Sequence, residues 1–288
     1  MHSYFLALIL GIVEGLTEFL PVSSTAHLRI CQSLFGIALD DGYWKMFAIV
    51  IQLGAILTLP IYFRERIAKF LATFPQGERG ERTALTHPLT LTILSFLCTA
   101  APAFLLTKII GKHLESLLIM GLSLVIGGIV MWAVDVLYVR GLLAHSTDHV
   151  EEMSLGQAVW IGLCQTLSAV FPGTSRSMST IAAGQLVGMS RPSALEFSFF
   201  LSIPTMVAAT LYDLLKSLRP HHGEPALIGH LTMNPPDWIT LAIGFVASFV
   251  VAYGVVAWFM HWVRTRGFAV FAAYRIVVGA AVLWWALR

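Results

Sequence analysis

Two glutamates, Glu14 and Glu18, lie four residues apart in an otherwise apolar stretch near the start of the chain. In a helix this spacing places both carboxylates on one face, where like charges repel each other. Inserting one carboxylate at the centre of a membrane helix costs about 2.5–3.5 kcal/mol on translocon scales. A cation, a proton or a bound group relieves such repulsion. The pair therefore predicts a metal-binding or acid–base site, the alternative being two carboxylates hydrated at the membrane surface.

The apolar stretch is interrupted at Pro21, and three hydroxyl side chains follow it, Ser23, Ser24 and Thr25. Proline favours a break in a helix, and serine or threonine caps the helix that follows. Hydroxyls beside the free N–H groups of a helix N-terminus form an anion site. His27 lies three residues after Ser24, so the two have the arrangement of a hydroxyl nucleophile and its base. The alternative is a plain helix cap beside a histidine with a structural role.

A second polar break interrupts a later apolar stretch after Pro172. Its candidate ligand-binding residues are Gly173, Thr174, Ser175, Arg176, Ser177 and, near the end of the motif, Thr180. Glycine lets the backbone approach a ligand closely, and Arg176 is a permanent cation whose planar fork suits phosphate oxygens. An unpaired guanidinium is costly in an apolar segment. Arg176 is therefore expected to pair with a phosphate, with a glutamate of the first break, or with each in turn.

The composition indicates that these motifs lie in a membrane protein. Of the 288 residues, 57% are hydrophobic and 12% are charged, about half the roughly 25% charged residues of a soluble domain. The net charge of +2 and the scattered basic residues offer no surface for nucleic acid. Three well-separated cysteines predict neither a disulfide nor a zinc site. No Lys or Arg precedes residues 4–13, and Glu14 stands where a signal-peptide cleavage site would be, so we expect this segment in the mature protein.

Six stretches are apolar over the roughly 20 residues that a spanning helix needs. They are residues 43–63, 89–110, 116–138, 192–215, 237–262 and 268–287. Two further apolar stretches, 3–36 and 154–188, contain the polar breaks, and each half is short for a full span. Such segments are typical of re-entrant hairpins, whose free backbone groups must be covered by protein or water. Packing or interface contacts are expected of the polar residues in or near the spans, which are Gln52, Asp135, Glu196 and Arg275.

The two interrupted stretches resemble each other in sequence. Residues 11–16 align with residues 162–167, and at the same offset of 151 residues Pro21 aligns with Pro172, Ser23 with Thr174 and Ser24 with Ser175. Three full spans lie between the two hairpins, so the second copy must be inverted, and inverted repeats of broken helices place a binding site near the midplane. We therefore predict one all-α membrane domain over residues 1–288, with six transmembrane helices and two re-entrant hairpins. Repeat 1 covers about 1–110 and repeat 2 about 154–262.

The basic residues of the loops predict the orientation in the membrane. The loop 64–88 carries Arg64, Arg66, Lys69, Arg79 and Arg82. By the positive-inside rule this loop is cytoplasmic, and so is the loop 263–267. Counting the spans then places both termini and the loop 216–236 outside. That loop itself carries Lys216 and Arg219, which reduces the charge bias.

The two breaks together resemble the signatures of the undecaprenyl pyrophosphate phosphatase family. Residues 14–27, EGLTEFLPVSSTAH, are similar to its ExxxE element followed by PVSST and a histidine, and PGTSRS at 172–177, with Thr180, is similar to its PGxSRS signature. Ala26 departs from the glycine that is common there. The resemblance covers essentially the whole chain. It implies a metal-assisted hydrolase of the bacterial plasma (inner) membrane, with an external active site, that recycles the lipid carrier of cell-wall synthesis and confers resistance to bacitracin. It also implies a polyprenyl pyrophosphate substrate, Mg²⁺ or Ca²⁺ as cofactor, and a homodimer.

The motifs and the resemblance together predict a mechanism. Arg176 and the N-terminal N–H groups of both broken helices hold the pyrophosphate, and Mg²⁺ or Ca²⁺ at Glu14 and Glu18 neutralises charge on the transferring phosphoryl group. Ser24 attacks the terminal phosphorus in line, and His27 or Glu18 takes the serine proton and later activates water. A version in which His27 is itself the nucleophile stays open.

A transporter is the rival class, because inverted repeats of broken helices also occur in transporters. The same basic and hydroxyl groups would carry a polyprenyl phosphate lipid across the membrane, as a flippase does, without cleaving it. Phosphate release by the purified protein separates the two classes.

Overall fold

The computed structural model describes residues 2–38, 41–78, 80–106, 116–143, 146–217 and 233–288. Within these residues the chain is helical, and the one β-bridge pairs Thr147 with Met189. A 3₁₀ turn covers Val150–Glu152. In chain order the α-helices are α1 His2–Thr17, α2 Ser24–Leu34, α3 Gly42–Tyr62, α4 Arg64–Thr73, α5 Pro88–Leu105, α6 Leu117–Val139, α7 Leu155–Val170, α8 Arg176–Leu186, α9 Arg191–Ser217, α10 Pro235–Thr265 and α11 Ala269–Ala286.

Six of the described helices, α3, α5, α6, α9, α10 and α11, are long and apolar enough to cross a membrane. They fall on the six predicted stretches, so a multi-pass helical membrane protein is confirmed. The predicted stretch 89–110 extends beyond α5, and its residues 107–110 lie outside the described residues. Most of the loop 216–236, including Arg219, also lies outside them, as does Arg79 of the loop 64–88.

The two interrupted stretches fold as two pairs of short helices with matching lengths. Helices α1 and α7 each have 16 residues, and α2 and α8 each have 11. A serine with positive φ ends each break, Ser23 at 74° and Ser175 at 69°, a conformation that non-glycine residues rarely adopt. By backbone conformation Ser23 thus corresponds to Ser175, which is one residue away from the predicted pairing of Ser24 with Ser175.

Part of the predicted loop 64–88 is helical, because α4 occupies its first ten residues. The prediction relied on apolar length, and α4 is a short helix with one buried apolar residue, Phe70, among charged neighbours. Arg66 on this helix pairs with Glu151 at 2.5 Å and with Glu196 at 2.9 Å. Glu196, for which a packing or interface contact was predicted, thus forms an ion pair with α4. Burial alone would raise the pKa of Glu151, but hydrogen bonds and charge from Arg66 outweigh it and hold that pKa below its ordinary value.

The described chain forms two compact units, of which the first consists of Met1–Phe19, Ser24–Tyr62 and Ile203–Ala257. Its core packs α1, α2 and α3 around Phe47, Ile51 and their neighbours. Small residues let helix backbones approach closely, as at many membrane helix interfaces. A Cβ added at Gly11 would lie 2.5 Å from the backbone oxygen of Gly244 on α10. Ser248 on α10 also donates a hydrogen bond of 2.8 Å to the backbone oxygen of Ile51.

The second unit consists of Leu20–Ser23, Phe63–Ser202 and Trp258–Arg288. Helix α6 packs along α11, and α5 packs along α7. Polar groups join the second pair, since the Thr99 hydroxyl donates to the Gly162 oxygen at 2.7 Å and accepts from the Gln165 amide at 2.9 Å. Asp135, for which a packing or interface contact was predicted, accepts from Arg191 at 2.6 Å and from the backbone N–H of Ala269 at 3.2 Å.

Candidate active site

Glu14 on α1 and Glu18, directly after its last residue, are buried, not hydrated. Glu14 is 1% exposed and Glu18 is 8% exposed. The Glu18 backbone N–H donates to the Glu14 carbonyl at 2.9 Å, so helical spacing continues to Glu18 and both side chains share one face. Among the described residues the Glu14 carboxyl group interacts with the Glu18 carboxyl group, and its oxygens have no other hydrogen-bond partner. A buried carboxyl group in this condition needs a proton or a cation to be stable.

Ser24 and Glu18 are in direct contact across the first break. The Ser24 hydroxyl donates to the Glu18 carboxylate at 2.5 Å. Ser24 is the first residue of α2, where the backbone N–H groups have no helical acceptor and attract anions. A nucleophile with a carboxylate base within hydrogen-bond reach is the arrangement that covalent catalysis needs. Glu18, one of the two predicted bases, therefore accepts the hydrogen bond of the Ser24 hydroxyl in this structure.

The other predicted residues of the first break surround this pair in different ways. Ser23 precedes α2 with positive φ and is 5% exposed, whereas Thr25 is exposed. His27 is half-buried on the first turn of α2 and has interactions with the protein. The break thus presents one buried and one exposed hydroxyl beside Ser24.

The second break has a tightly held backbone. Gly173 has φ of 94°, and a Cβ there would lie 2.6 Å from the Met120 oxygen. Both the backbone conformation and the lack of space therefore favour glycine at this position. Ser175 caps α8, its hydroxyl accepting from the Met178 N–H at 3.3 Å. Arg176, the first residue of α8, is half-buried and has interactions with the protein. The N-terminus of α8 therefore combines the positive end of a helix with a guanidinium.

The remaining predicted residues of the second break differ in what their side chains contact. Thr174, within the break, lines an apolar cavity. Ser177 is 1% exposed. The Thr180 hydroxyl donates to the Arg176 oxygen at 3.0 Å and shares a 2.7 Å hydrogen bond with the Ser198 hydroxyl of α9. That hydroxyl therefore joins α8 to α9 in this structure.

Arg275 on α11 connects the two breaks within the second unit. It is fully buried, and its guanidinium donates to the Pro21 oxygen at 3.0 Å, the Ser123 oxygen at 3.1 Å and the Gly173 oxygen at 3.1 Å. The sequence predicted only a packing or interface contact for this residue. A stronger signal was available, because a lone arginine in an apolar span is a functional hypothesis by default.

The carboxylate oxygens of Glu14 and Glu18 fit a divalent cation that also binds a ligand. No group of three or more His, Cys, Asp or Glu side chains suited to a metal occurs among the described residues. Glu14 and Glu18 offer two carboxylates, and the buried oxygens of Glu14 have no other partner there. Mg²⁺ in proteins is often bound by one or two carboxylates together with water and substrate phosphates. The pair therefore fits such a shared ion better than a site made of protein ligands alone.

Comparison with known proteins places these features in one family. A family model described as "Bacitracin resistance protein BacA" matches residues 7–281. An "Undecaprenyl-diphosphatase" from Koribacter versatilis is 71% identical over 289 aligned residues, covering 100% of both chains. Proteins with the same name from Bradyrhizobium sp. (strain ORS 278) and Caldanaerobacter subterraneus are 41% and 39% identical, covering 97% and 98% of this chain and 96% of their own. The chain therefore belongs to the bacitracin resistance protein BacA family.

Proposed function

We propose that this protein hydrolyses undecaprenyl diphosphate to undecaprenyl phosphate and inorganic phosphate in the bacterial inner membrane. Two relatives that bear the name undecaprenyl-diphosphatase match 100% and 98% of its length. The observation that carries the proposal is the Ser24–Glu18 hydrogen bond at the N-terminus of α2. This contact lies at the start of α2, so a nucleophile, a base and an anion site occur together at one break in an apolar stretch.

The proposed reaction uses Ser24 as the nucleophile and Glu18 as the base. The serine oxygen forms a bond to the terminal phosphorus while the bond from that phosphorus to the bridging oxygen breaks. The serine proton moves to Glu18, and undecaprenyl phosphate leaves. Once Glu18 has released that proton to solvent, water attacks the phosphoserine and gives a proton to Glu18 or His27. The bond between phosphorus and the Ser24 oxygen breaks, inorganic phosphate leaves, and the proton returns to Ser24.

Binding and charge neutralisation are assigned to the neighbouring groups. Diphosphate binding is assigned to Arg176 and to the N-terminal N–H groups of α2 and of α8, with Ser23, Thr174 and Ser175 as further candidates. A divalent cation, Mg²⁺ or Ca²⁺, bound through Glu14 and Glu18 would neutralise charge on the transferring phosphoryl group. The burial of the Glu14 carboxyl group against that of Glu18, with no other partner among the described residues, supports that assignment.

We further propose that the two interrupted stretches are re-entrant hairpins related as an inverted repeat, with the active site facing outward. The equal lengths of the paired helices and the positive-φ serine in each break support the repeat. The basic residues of α4 support a cytoplasmic position for the loop 64–88. Labelling of single cysteines from outside should reach the loop 216–236 and not the loop 64–88. The homodimer implied by the family is tested by crosslinking in the membrane.

Phosphate release by the purified protein, with Ser24→Ala beside the wild type, tests the function. The variant should lose at least about 10³-fold in turnover, as expected for removal of a nucleophile. Ser33→Ala is the matched control, because Ser33 is an exposed serine on the same helix. Chelator should suppress wild-type turnover, and Mg²⁺ or Ca²⁺ should restore it.

The outcomes separate the competing interpretations. Phosphate release that persists in Ser24→Ala would reject the serine mechanism and make His27 the candidate nucleophile. Lipid movement in vesicles without any phosphate release by the wild type would instead favour the transporter.

A further inference from the structure

A cavity of about 640 Å³ lies beside the second break, between α6, α7 and α8. This volume lies within the roughly 300–1,000 Å³ that is typical of small-molecule sites. Its polar lining side chains include Ser123, Thr174 and Ser179, of which Thr174 belongs to the break itself. The cavity therefore adjoins the residues assigned to the diphosphate.

The cavity extends along one face of each helix, away from the break. On α6 its lining runs from Ile119 to Val130, which at 1.5 Å per residue is about 16 Å. On α8 it runs from Met178 to Leu186, about 12 Å. The part distant from the break is apolar apart from the thiol of Cys164. The shape is that of an elongated groove with a polar end and an apolar end.

One side of the groove is open towards the surroundings of the protein. Leu122 and Ile126 on α6 line it and are 44% and 57% exposed, and Leu167 on α7 is 51% exposed. In a membrane protein an apolar surface of this kind faces lipid. A hydrocarbon chain can therefore enter the groove sideways without crossing water.

We propose that this groove binds the first isoprene units of the substrate's polyprenyl chain, with the diphosphate at the second break. The proposal rests on the proposed function and adds where the lipid part of the substrate binds. The groove is about half as long as the roughly 30 Å hydrocarbon core of a bilayer. The eleven units of an undecaprenyl chain therefore exceed it, and the remainder of the chain stays in the lipid.

Binding in the groove stabilises the polyprenyl chain by packing contacts and fixes its orientation. Moving a hydrocarbon chain from lipid to an apolar protein surface provides little hydrophobic driving force. What remains is dispersion contact with the groove walls and the fixed direction in which the chain presents its diphosphate. The rate should therefore rise with chain length over the first few isoprene units and then become constant.

Variants that fill the groove test this role. Ala183→Leu adds volume from the floor of the groove, and Leu167→Trp adds it from the exposed wall. Their matched controls are Ala281→Leu and Ile93→Trp, which change exposed residues outside the groove. The measurement is kcat/KM for undecaprenyl diphosphate and for dimethylallyl diphosphate, which has a single isoprene unit, together with the thermal unfolding temperature.

The groove variants should lower kcat/KM for undecaprenyl diphosphate at least fivefold, with little change for dimethylallyl diphosphate and none in the controls. Unchanged kcat/KM for the long substrate in a stable variant would overturn the proposal. An equal loss for both substrates would also overturn it, because the groove would then act on the phosphate site alone.

A binding experiment tests lipid binding in the groove separately from the enzymatic function. In a background of Cys31→Ala and Cys98→Ala, an alkyl maleimide reports access to Cys164 in the groove. Undecaprenyl phosphate should slow this labelling at least fivefold, and phosphatidylglycerol at equal concentration should not. Equal protection by both lipids would indicate an ordinary acyl-chain surface and reject the proposal. Protection without any phosphate release by the wild type would retain the groove and reject the enzymatic function.

Discussion

Replacing Arg275 with lysine should lower turnover while keeping the positive charge of the last span. Arg275 donates to the backbone oxygens of Pro21, Ser123 and Gly173, so one guanidinium holds a carbonyl from each break. Lysine has a single nitrogen on a flexible stem and lacks the planar fork that reaches several acceptors at once. The variant should therefore release at least one of the three carbonyls.

The size of the effect follows from those contacts. A hydrogen bond to a charged group contributes about 1.5–3 kcal/mol. If the lost contact serves to position the breaks in the transition state, turnover should fall roughly 10- to 150-fold. Complete removal in Arg275→Met leaves three buried carbonyls without this donor, although it also removes the cost of burying a charge. Methionine should therefore reduce turnover more than lysine does, with a smaller difference between the two in stability.

The assay measures kcat, KM and the thermal unfolding temperature of Arg275→Lys in parallel. Arg264→Lys is the matched control, because Arg264 is an exposed arginine at the end of α10. A stable variant whose kcat falls while KM changes little supports a positioning role, since Arg275 contacts the breaks through their backbone. Wild-type turnover and stability in Arg275→Lys would refute the reasoning.

Three further predictions concern the breaks and the cytoplasmic loop. Gly173→Ala should lower the free energy of unfolding by at least about 1–2 kcal/mol, because this position has a positive φ and is crowded. The control Gly254→Ala should not lower it, because Gly254 has open space around it. Equal denaturation midpoints of the two variants would contradict this prediction. Thr180→Val should cost about 0.5–1.5 kcal/mol of stability with KM unchanged; a raised KM at normal stability would instead support its predicted phosphate contact. Because Arg66 lowers the pKa of Glu151, their pair stabilises the protein at neutral pH, and this contribution should fade as the pH drops below about 4.5 towards the folded pKa. Arg66→Gln should reduce that pH dependence, and an unchanged acid unfolding profile would speak against it.

The sequence determined the spans because hydropathy is a sum over neighbouring residues. The six long helices coincide with the six apolar stretches, for example α3 at Gly42–Tyr62 with the predicted 43–63. Both breaks were also predictable, since proline and hydroxyl residues interrupt an apolar run in a recognisable way. The family signature lies in the same short motifs, so residue identity and spacing were enough to find it. Helix α4 was missed because it is shorter and more charged than a spanning segment.

The tertiary structure alone decided which groups touch. Sequence left Glu18 and His27 as candidates for the base, and in the structure the Ser24 hydroxyl donates a hydrogen bond to Glu18. Residue types in the sequence paired Ser24 with Ser175, whereas the backbone angles pair Ser23 with Ser175. Sequence reasoning also assigned Arg275 only a packing or interface role, although this side chain contacts Pro21, 254 positions away in the chain. Local patterns cannot specify such contacts, because they depend on how separate helices pack and on where buried charges find acceptors.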